Sequence, residues 1–423
     1  MADTNASSFV SRLKSPIAGL AVEDNGPKTT AFASTTTTYD DKLNAESNVI
    51  SSLVARQSAL PTGSAYDQVA SAVLAANARS AESELRSARL RAEASSKNWL
   101  PTVGPSISLT SLSDVIVNLV VDQVLFDNGR KKGEREFAKA DVEVAAVALA
   151  QDTNDRAATS LELYLAAAEG REKTALAKDM AHFEYIMSER VRGGVSDMSD
   201  LNIIRQKLSE IRASQTAGRE ATRSAIAELN AMSVQPLQDV RGVTTLNVAV
   251  TDAQPLNVAK AEAEMTRSIA AAKIERAGNL PGVSLSGTVG KNGGVGINAG
   301  GAQLGFGTGA RLKAIEVAAE SAGRRVSQAN EDSNRALRKL ESQIAAKTRQ
   351  ASEASGLTAQ AKNNLDLFQA QYKAGQRQVM DVVGVYETFS RAQEAEVTLK
   401  FEAATLRVEM ARILGVLADG DLI

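Results

Sequence analysis

The chain has 423 residues with only 4% aromatics, one Trp, one His and no Cys. Without cysteine there is no thiol catalysis, disulfide or thiolate metal site, and the lone His182 excludes a histidine metal cluster within one chain. A formal net charge of −2 gives no electrostatic footprint for nucleic acid, while alanine-rich, aromatic-poor sequence suits long, closely packed helices.

The opening stretch MADTNASSFVSRLK has no positive region followed by an apolar core. The expectation is either a cytoplasmic chain or one that begins after a leader has been removed. Residues 1–63 are rich in Ser, Thr and Ala, with TTAFASTTTTYDD at 29–41, and are expected to be extended or disordered. From Tyr66 to Asn98, Leu74, Ala78, Ala81, Leu85, Ala88 and Ala92 recur at spacings of three and four, one face of a helix that should stop before Pro101.

Over 101–126 the period changes to two. Val103, Ile107 and Leu109 alternate with Ser and Thr. After SLSD, Val115, Val117, Leu119 and Val121 share one parity, with Asn118 and Asp122 on the other. This predicts a β-hairpin with one apolar face, although Ile116, Val120 and Val124 blur the second strand. A long helix pattern follows at 129–191, with Phe137, Val144, Leu161, Leu165, Phe183 and Ile186 on its seam. The turn VRGGVSDMSDL at 191–201 leads to a returning helix that ends near Met232. A linker at 233–255, equatorial in position, carries Pro236, Pro255 and the strand-like run VTTLNVAV.

The same order then repeats. A hairpin is expected at 281–306, with Val283, Leu285, Val289, Val295, Ile297 and Ala299 on one parity around a KNGG turn. A second long helix at 309–373 has Leu312, Ile315, Leu337, Leu340, Leu365 and Phe368 on its seam. A turn at 373–381 and a returning helix to Leu417 follow, leaving a tail at 418–423. Gln123, Phe126 and Gly129 map onto Gln303, Phe306 and Gly309 at one constant offset, and Gly194 and Asp200 pair with Gly375 and Asp381. The chain therefore reads as an internal duplication, repeat 1 over 64–232 and repeat 2 over 256–417.

Each long helix would span roughly 90–100 Å, too long for a compact domain and suited to a coiled coil or helical barrel. Strands of about ten residues, tilted, cross a hydrocarbon layer of about 25 Å. No run of about 18 apolar residues is present, so no membrane-spanning helix is expected. Four strands cannot close a barrel, and open edges are not tolerated in lipid, so several copies would have to assemble. Three copies would give twelve strands.

The Leu-Pro entry to each hairpin, the QVLFDNG exit, the long helices and the YKAGQRQVMDV turn, in a duplicated layout over 64–417, resemble the TolC-like outer-membrane efflux and secretion channels. The resemblance implies an α+β membrane protein with four strands per protomer in a homotrimeric twelve-strand β-barrel, continuous with a long α-helical, coiled-coil periplasmic barrel. It implies a passive exit duct in the outer membrane of a Gram-negative bacterium, contacting outer-membrane lipid. The partners implied are a periplasmic adaptor (membrane fusion) protein and an inner-membrane transporter of the RND or ABC type, in efflux or type I secretion. The hairpins depart from the pattern in lacking aromatic girdles, with only Trp99, Phe126 and Phe306 near the periplasmic ends, and in having short loops.

By the same resemblance, Ser199, Asp200, Tyr372, Arg377 and Asp381 form the periplasmic gate. Arg377 would pair with Asp200, Tyr372 would hydrogen-bond beside them, and Asp381 would line the tunnel. Simple helix capping by Asp200 and Asp381 explains those aspartates equally well. Gly194, Val195 and Gly375 are implied as the adaptor-docking tip, against plain turn chemistry. Asn118 and Asp122 would face the barrel lumen, or simply a solvated strand face. Phe126, Gly129, Phe306 and Gly309 mark the strand-to-helix junctions, with Asn128 and Thr308 as expected N-caps. No nucleophile–base pair is visible, and GKNGGVGINAGG lacks the Lys-Ser/Thr of a phosphate loop, so no catalytic, cofactor or metal site is expected. The competing reading is a soluble coiled-coil scaffold or filament protein. Two apolar-faced hairpins at equivalent positions argue against it.

Overall fold

The structure, a computed structural model, describes residues 47–422 apart from 77–79, 112–113, 196–197, 252, 290–293 and 301–306. The run at 29–41, most of the KNGG turn, Gln303 and the junction residue Phe306 lie outside the described residues.

The chain opens on α1 (Asn48–Val54), α2 (Ala65–Leu74) and α3 (Ser80–Ser96). Part of the segment expected to be extended is therefore helical. Ser47 Oγ accepts from Ile50 N at 3.2 Å, and Ile50 and Leu53 are buried. A helix of seven residues is too short to show a period in sequence, and burial of its apolar residues holds it. The single helix expected over 66–98 is two helices, because α2 ends at Leu74 with Ala75 as its C-cap. Nothing in that alanine run signals the break.

Two hairpins form one antiparallel sheet, β1 (Thr102–Ser111), β2 (Asp114–Phe126), β3 (Gly282–Val289) and β4 (Gly294–Gly300), in the order β1-β2-β3-β4. The register keeps the apolar parity in line across it. Val103 is opposite Val121, Leu119 opposite Val289, and Leu285 opposite Ile297. Among the described residues, both outer strands, β1 and β4, have one edge without a partner strand in the chain.

The long helices are α4 (Arg130–Arg190) and α7 (Thr308–Lys373), of 61 and 66 residues. At 1.5 Å per residue they reach roughly 90–100 Å. Their returning partners are α5 (Met198–Met232) and α8 (Val379–Leu414), and α6 (Leu256–Gly278) leads into the second hairpin. A π-helical turn, Val191–Val195, follows α4. The duplicated halves are not equivalent in packing. α4 lies against α3, α5, α6 and α8, and its buried residues spread beyond the single expected seam to Ala138, Val142, Val147 and Leu149. α7 buries the expected Ile315, Leu337, Leu340 and Leu365, but leaves Val317, Leu357 and Leu367 more than half exposed.

The largest cluster girdles the middle of the bundle, where Tyr66, Leu161, Tyr164, Leu229, Leu337, Phe401 and Leu414 pack together. Tyr66 and Tyr164 meet edge to face at 6.1 Å. The strand-like run in 233–255 forms no strand over 240–249. Side chains take its carbonyls instead: Tyr164 Oη donates to Gly242 O at 2.7 Å, and Arg171 donates to Gln238 O and Val240 O. The last helix ends at Leu414, three residues short of the expected Leu417, because Gly415 turns left-handed at φ 68°. The tail then packs back, with Leu417 N donating to buried Asn154 Oδ1 at 2.8 Å.

Candidate functional site

Three places in the fold carry the candidate residues: the sheet, its junction with the helices, and the far tip of the long helices.

On the sheet, Val103, Leu119, Val289, Val295 and Ile297 share the apolar parity and are all exposed. Water does not tolerate such a contiguous apolar face well, whereas lipid does. Asn118 and Asp122 are on the other parity, paired with Ser106 and with Thr102 and Ser286. There Asn298 Nδ2 donates to Ser286 Oγ at 2.9 Å. This second face is mostly polar and carries Asp122, with Val120 and Val124 of β2 interrupting it.

Phe126 ends β2 as expected, but on the face that strict alternation denies it. The register slips between Val124 and Phe126, so Phe126 stands opposite Val283 on the apolar parity. A bulge of this kind puts two residues against one and re-aims the strand end. Trp99, Leu100, Leu125 and Phe126 are all exposed at this end of the sheet. Gln123 Nε2 donates to Trp99 O at 3.0 Å, tying the exit of β2 to the entry of β1.

The N-cap of α4 is Gly129, with φ 86°, and not Asn128. Asp127 supplies the capping carboxylate: it accepts from Gly129 N at 3.1 Å and from Lys131 N at 2.6 Å. Asn128 also adopts a left-handed backbone, φ 54°, which Asn tolerates better than other side chains. Its Nδ2 donates to Pro281 O at 2.8 Å, linking the two repeats. At the second junction Gly307 is the N-cap and Thr308 already the first helical residue, with Gly309 following it inside α7. Gly307 has φ −86°, so among the described residues only the first junction uses a left-handed glycine.

At the tip, Gly194 and Val195 belong to the π-helical turn, while the second turn reverses at Gly375, φ 73°. Ser199 and Asp200 lie in the first turn of α5. Asp381 is the third residue of α8 rather than its N-cap. Its carboxylate accepts from Gln378 N at 3.3 Å, in a reciprocal capping box with the Gln378 side chain. Arg377 Nε donates to Gln371 Oε1 at 3.1 Å, and its guanidinium stands 4.5 Å from the Phe368 ring centroid. Arg190 of the first repeat covers the Tyr372 ring of the second at 5.4 Å. Beneath these contacts, Phe183 stacks flat on Tyr386 at 3.8 Å inside a cluster with Met187, Leu201, Ile204 and Val382.

Sequence reasoning missed Asp127, Arg190 and Glu184. Glu184 is fully buried in α4 beside Phe183. Its signal was present, because Glu184 is in phase with Met180, Met187 and Val191. His182, by contrast, is exposed, as a surface residue should be. Among the described residues, no group of His, Cys, Asp and Glu has the makings of a metal site, and no helix is long and apolar enough to cross a membrane.

No protein-family model matches the chain, and no curated protein sequence matches it. Solved structures do. The chain is similar to the CmeC outer membrane channel of Campylobacter jejuni, with TM-score 0.69 and 13% identity over 84% of this chain and 86% of that one. It is similar to the outer membrane protein VceC of Vibrio cholerae, with TM-score 0.67 and 14% identity over 90% and 97%. It is also similar to the MtrE outer membrane channel of Neisseria gonorrhoeae in its open state, with TM-score 0.70 and 15% identity over 87% and 96%. The chain thus has the fold of the TolC-like outer-membrane channels.

Proposed function

We propose that this fold serves as the outer-membrane exit duct of a tripartite efflux pump or type I secretion system, without catalysis of its own. One observation carries the reading: a single apolar face runs in register across all four described strands of a sheet whose two edges are open. Open edges do not persist in lipid. Pairing β1 of one copy with β4 of the next closes the sheet, and three copies make a barrel of twelve strands. The exposed apolar residues of α7 call for the same neighbours. A soluble scaffold would leave the apolar sheet face in water.

In this reading the polar parity, Asn118 and Asp122 included, lines the lumen. The helices extend into the periplasm of a Gram-negative cell. Ser199, Asp200, Tyr372, Arg377 and Asp381 form the gate, and Gly194, Val195 and Gly375 meet a periplasmic adaptor that bridges to an RND or ABC transporter. The test is fractionation of the full chain followed by bilayer recording. A heat-sensitive trimer in detergent-extracted outer membrane, forming discrete channels, is the expected result. A soluble monomer without conductance overturns the reading.

A further inference from the structure

The tip cluster encloses a carboxyl that the gate does not use. Glu184 occupies a position of α4 that helical spacing reserves for an apolar residue. It is fully buried, and neither Oε1 nor Oε2 has a hydrogen-bond partner among the described residues. Its neighbour Phe183 stacks on Tyr386 of α8, so the carboxyl sits where α4, α5 and α8 close together. A buried carboxylate without a partner takes up a proton or separates the surfaces around it.

We propose that Glu184 is a proton-operated latch: protonated, it lets α4, α5 and α8 close as they do here, and ionised, it loosens them. The groups facing it fit that role. Glu387 on α8 repels its charge, and Lys207 on α5 attracts it. Lys207 Nζ is already shared between Glu387 at 3.3 Å and Glu210 at 3.1 Å, so it does not neutralise Glu184. Tyr386 on α8 feels both Glu184 and Asp179 of α4. On α7, Lys362 and Asp366 pair with each other at 2.6 Å. Burial, and then Glu387, push the Glu184 carboxyl up to about 7 against the pull of Lys207. Burial, then Asp179 and Glu184, push the Tyr386 phenol up to about 12, so it stays neutral throughout.

The sign follows from linkage. An ordinary glutamate titrates at 4.5 and the folded one higher, so the closed packing is at full strength below the ordinary value. It weakens as pH rises from there, and the loss is complete once pH has passed the folded value, near neutrality. The link to transport rests on the duct reading above, in which the tip lies in the periplasm and meets external pH.

The test is hydrogen exchange of the full-length assembled protein in detergent, from the ordinary carboxyl value to above neutrality, reading the backbone amides around Phe183 and Met187. With intrinsic rates corrected, protection should fall by up to about tenfold per pH unit as pH rises from the ordinary carboxyl value toward neutrality, and level off above it. Glu184→Gln should keep protection flat, and Glu387→Gln should make the wild-type profile level off at lower pH. Should Glu184→Gln fail to assemble, infrared spectroscopy of the wild type must show a protonated carboxyl band that disappears near neutrality. Protection independent of pH, an unchanged profile in Glu184→Gln, or no such band overturns the latch. Bilayer recording separates the two readings. A tip that titrates in a protein without conductance sinks the duct and keeps the latch, and a conducting protein with a pH-independent tip does the reverse.

Discussion

Gly170 of α4 and Gly218 of α5 lie against each other in a reciprocal contact. A Cβ on Gly170 would meet Thr222 Oγ1 at 2.5 Å and Gly218 O at 3.1 Å, while one on Gly218 would meet Thr174 Oγ1 at 2.9 Å. Each glycine thus makes room for the threonine one turn beyond the other, and the two helices approach more closely than side chains permit. Gly170→Ala presses on a backbone carbonyl as well as a hydroxyl, and overpacking of this kind costs about 1–3 kcal/mol. Gly218→Ala meets mainly a hydroxyl that can rotate, and the helix-propensity gain of about 1 kcal/mol offsets it. Thermal unfolding followed by circular dichroism should show a lower midpoint for Gly170→Ala and little change for Gly218→Ala. Equal losses would show that the approach is not limited by Gly218 O.

The first junction should depend on Asp127. Asp127→Ala leaves the amides of Gly129 and Lys131 without their acceptor, a loss of about 0.5–2 kcal/mol. Gly129→Ala forces a Cβ into a left-handed conformation, at about 1–2 kcal/mol. Gly309→Ala at the second junction carries no such strain. The yield of assembled oligomer from cells expressing each variant measures the difference, and equal yields would disprove the asymmetry.

The two sheet faces should respond oppositely to charge. Ile297→Lys puts an ammonium on the apolar parity, where a membrane position costs about 2–4 kcal/mol near the bilayer centre. Assembly in the outer membrane should drop sharply. Ser286→Lys, on the polar parity of the neighbouring strand, should assemble and shift ion selectivity toward anions in bilayers. Assembly of Ile297→Lys at wild-type level would exclude lipid on that face.

Arg377 should bias the closed tip. Its contacts with Gln371 and Phe368 are at the surface, and exposed charge contacts are worth at most about 1 kcal/mol each. Arg377→Ala should raise single-channel conductance or open probability without lowering oligomer yield. An unchanged conductance removes Arg377 from the gate.

Much of this architecture is written in local periodicity. The change from period three-and-four to period two at Pro101, the absence of proline over 130–190 and 308–373, and the glycines near the turns all act through the nearest few residues. They can be read without knowing what lies opposite. The matched parity of the two hairpins is the same kind of signal, since alternation alone settles which residues share a face. The resemblance added the names of gate and docking residues, but not their surroundings.

What lies opposite depends on how distant segments meet. Phe126 reaches the apolar parity only because β2 bulges against β3. Asp127 rather than Asn128 caps α4 because two consecutive left-handed residues turn the backbone there. Glu184 is in phase with apolar residues of α4, but its lack of a partner shows only once α5 and α8 cover it. Backbone geometry and side-chain spacing along one chain suffice for the repeat, the lengths of its helices and the alternation of its strands, and all three are legible residue by residue. The enclosure of α4, the exposed apolar side of α7 and the removal of one carboxyl from water came from folding, because burial is a property of segments far apart in the chain coming together.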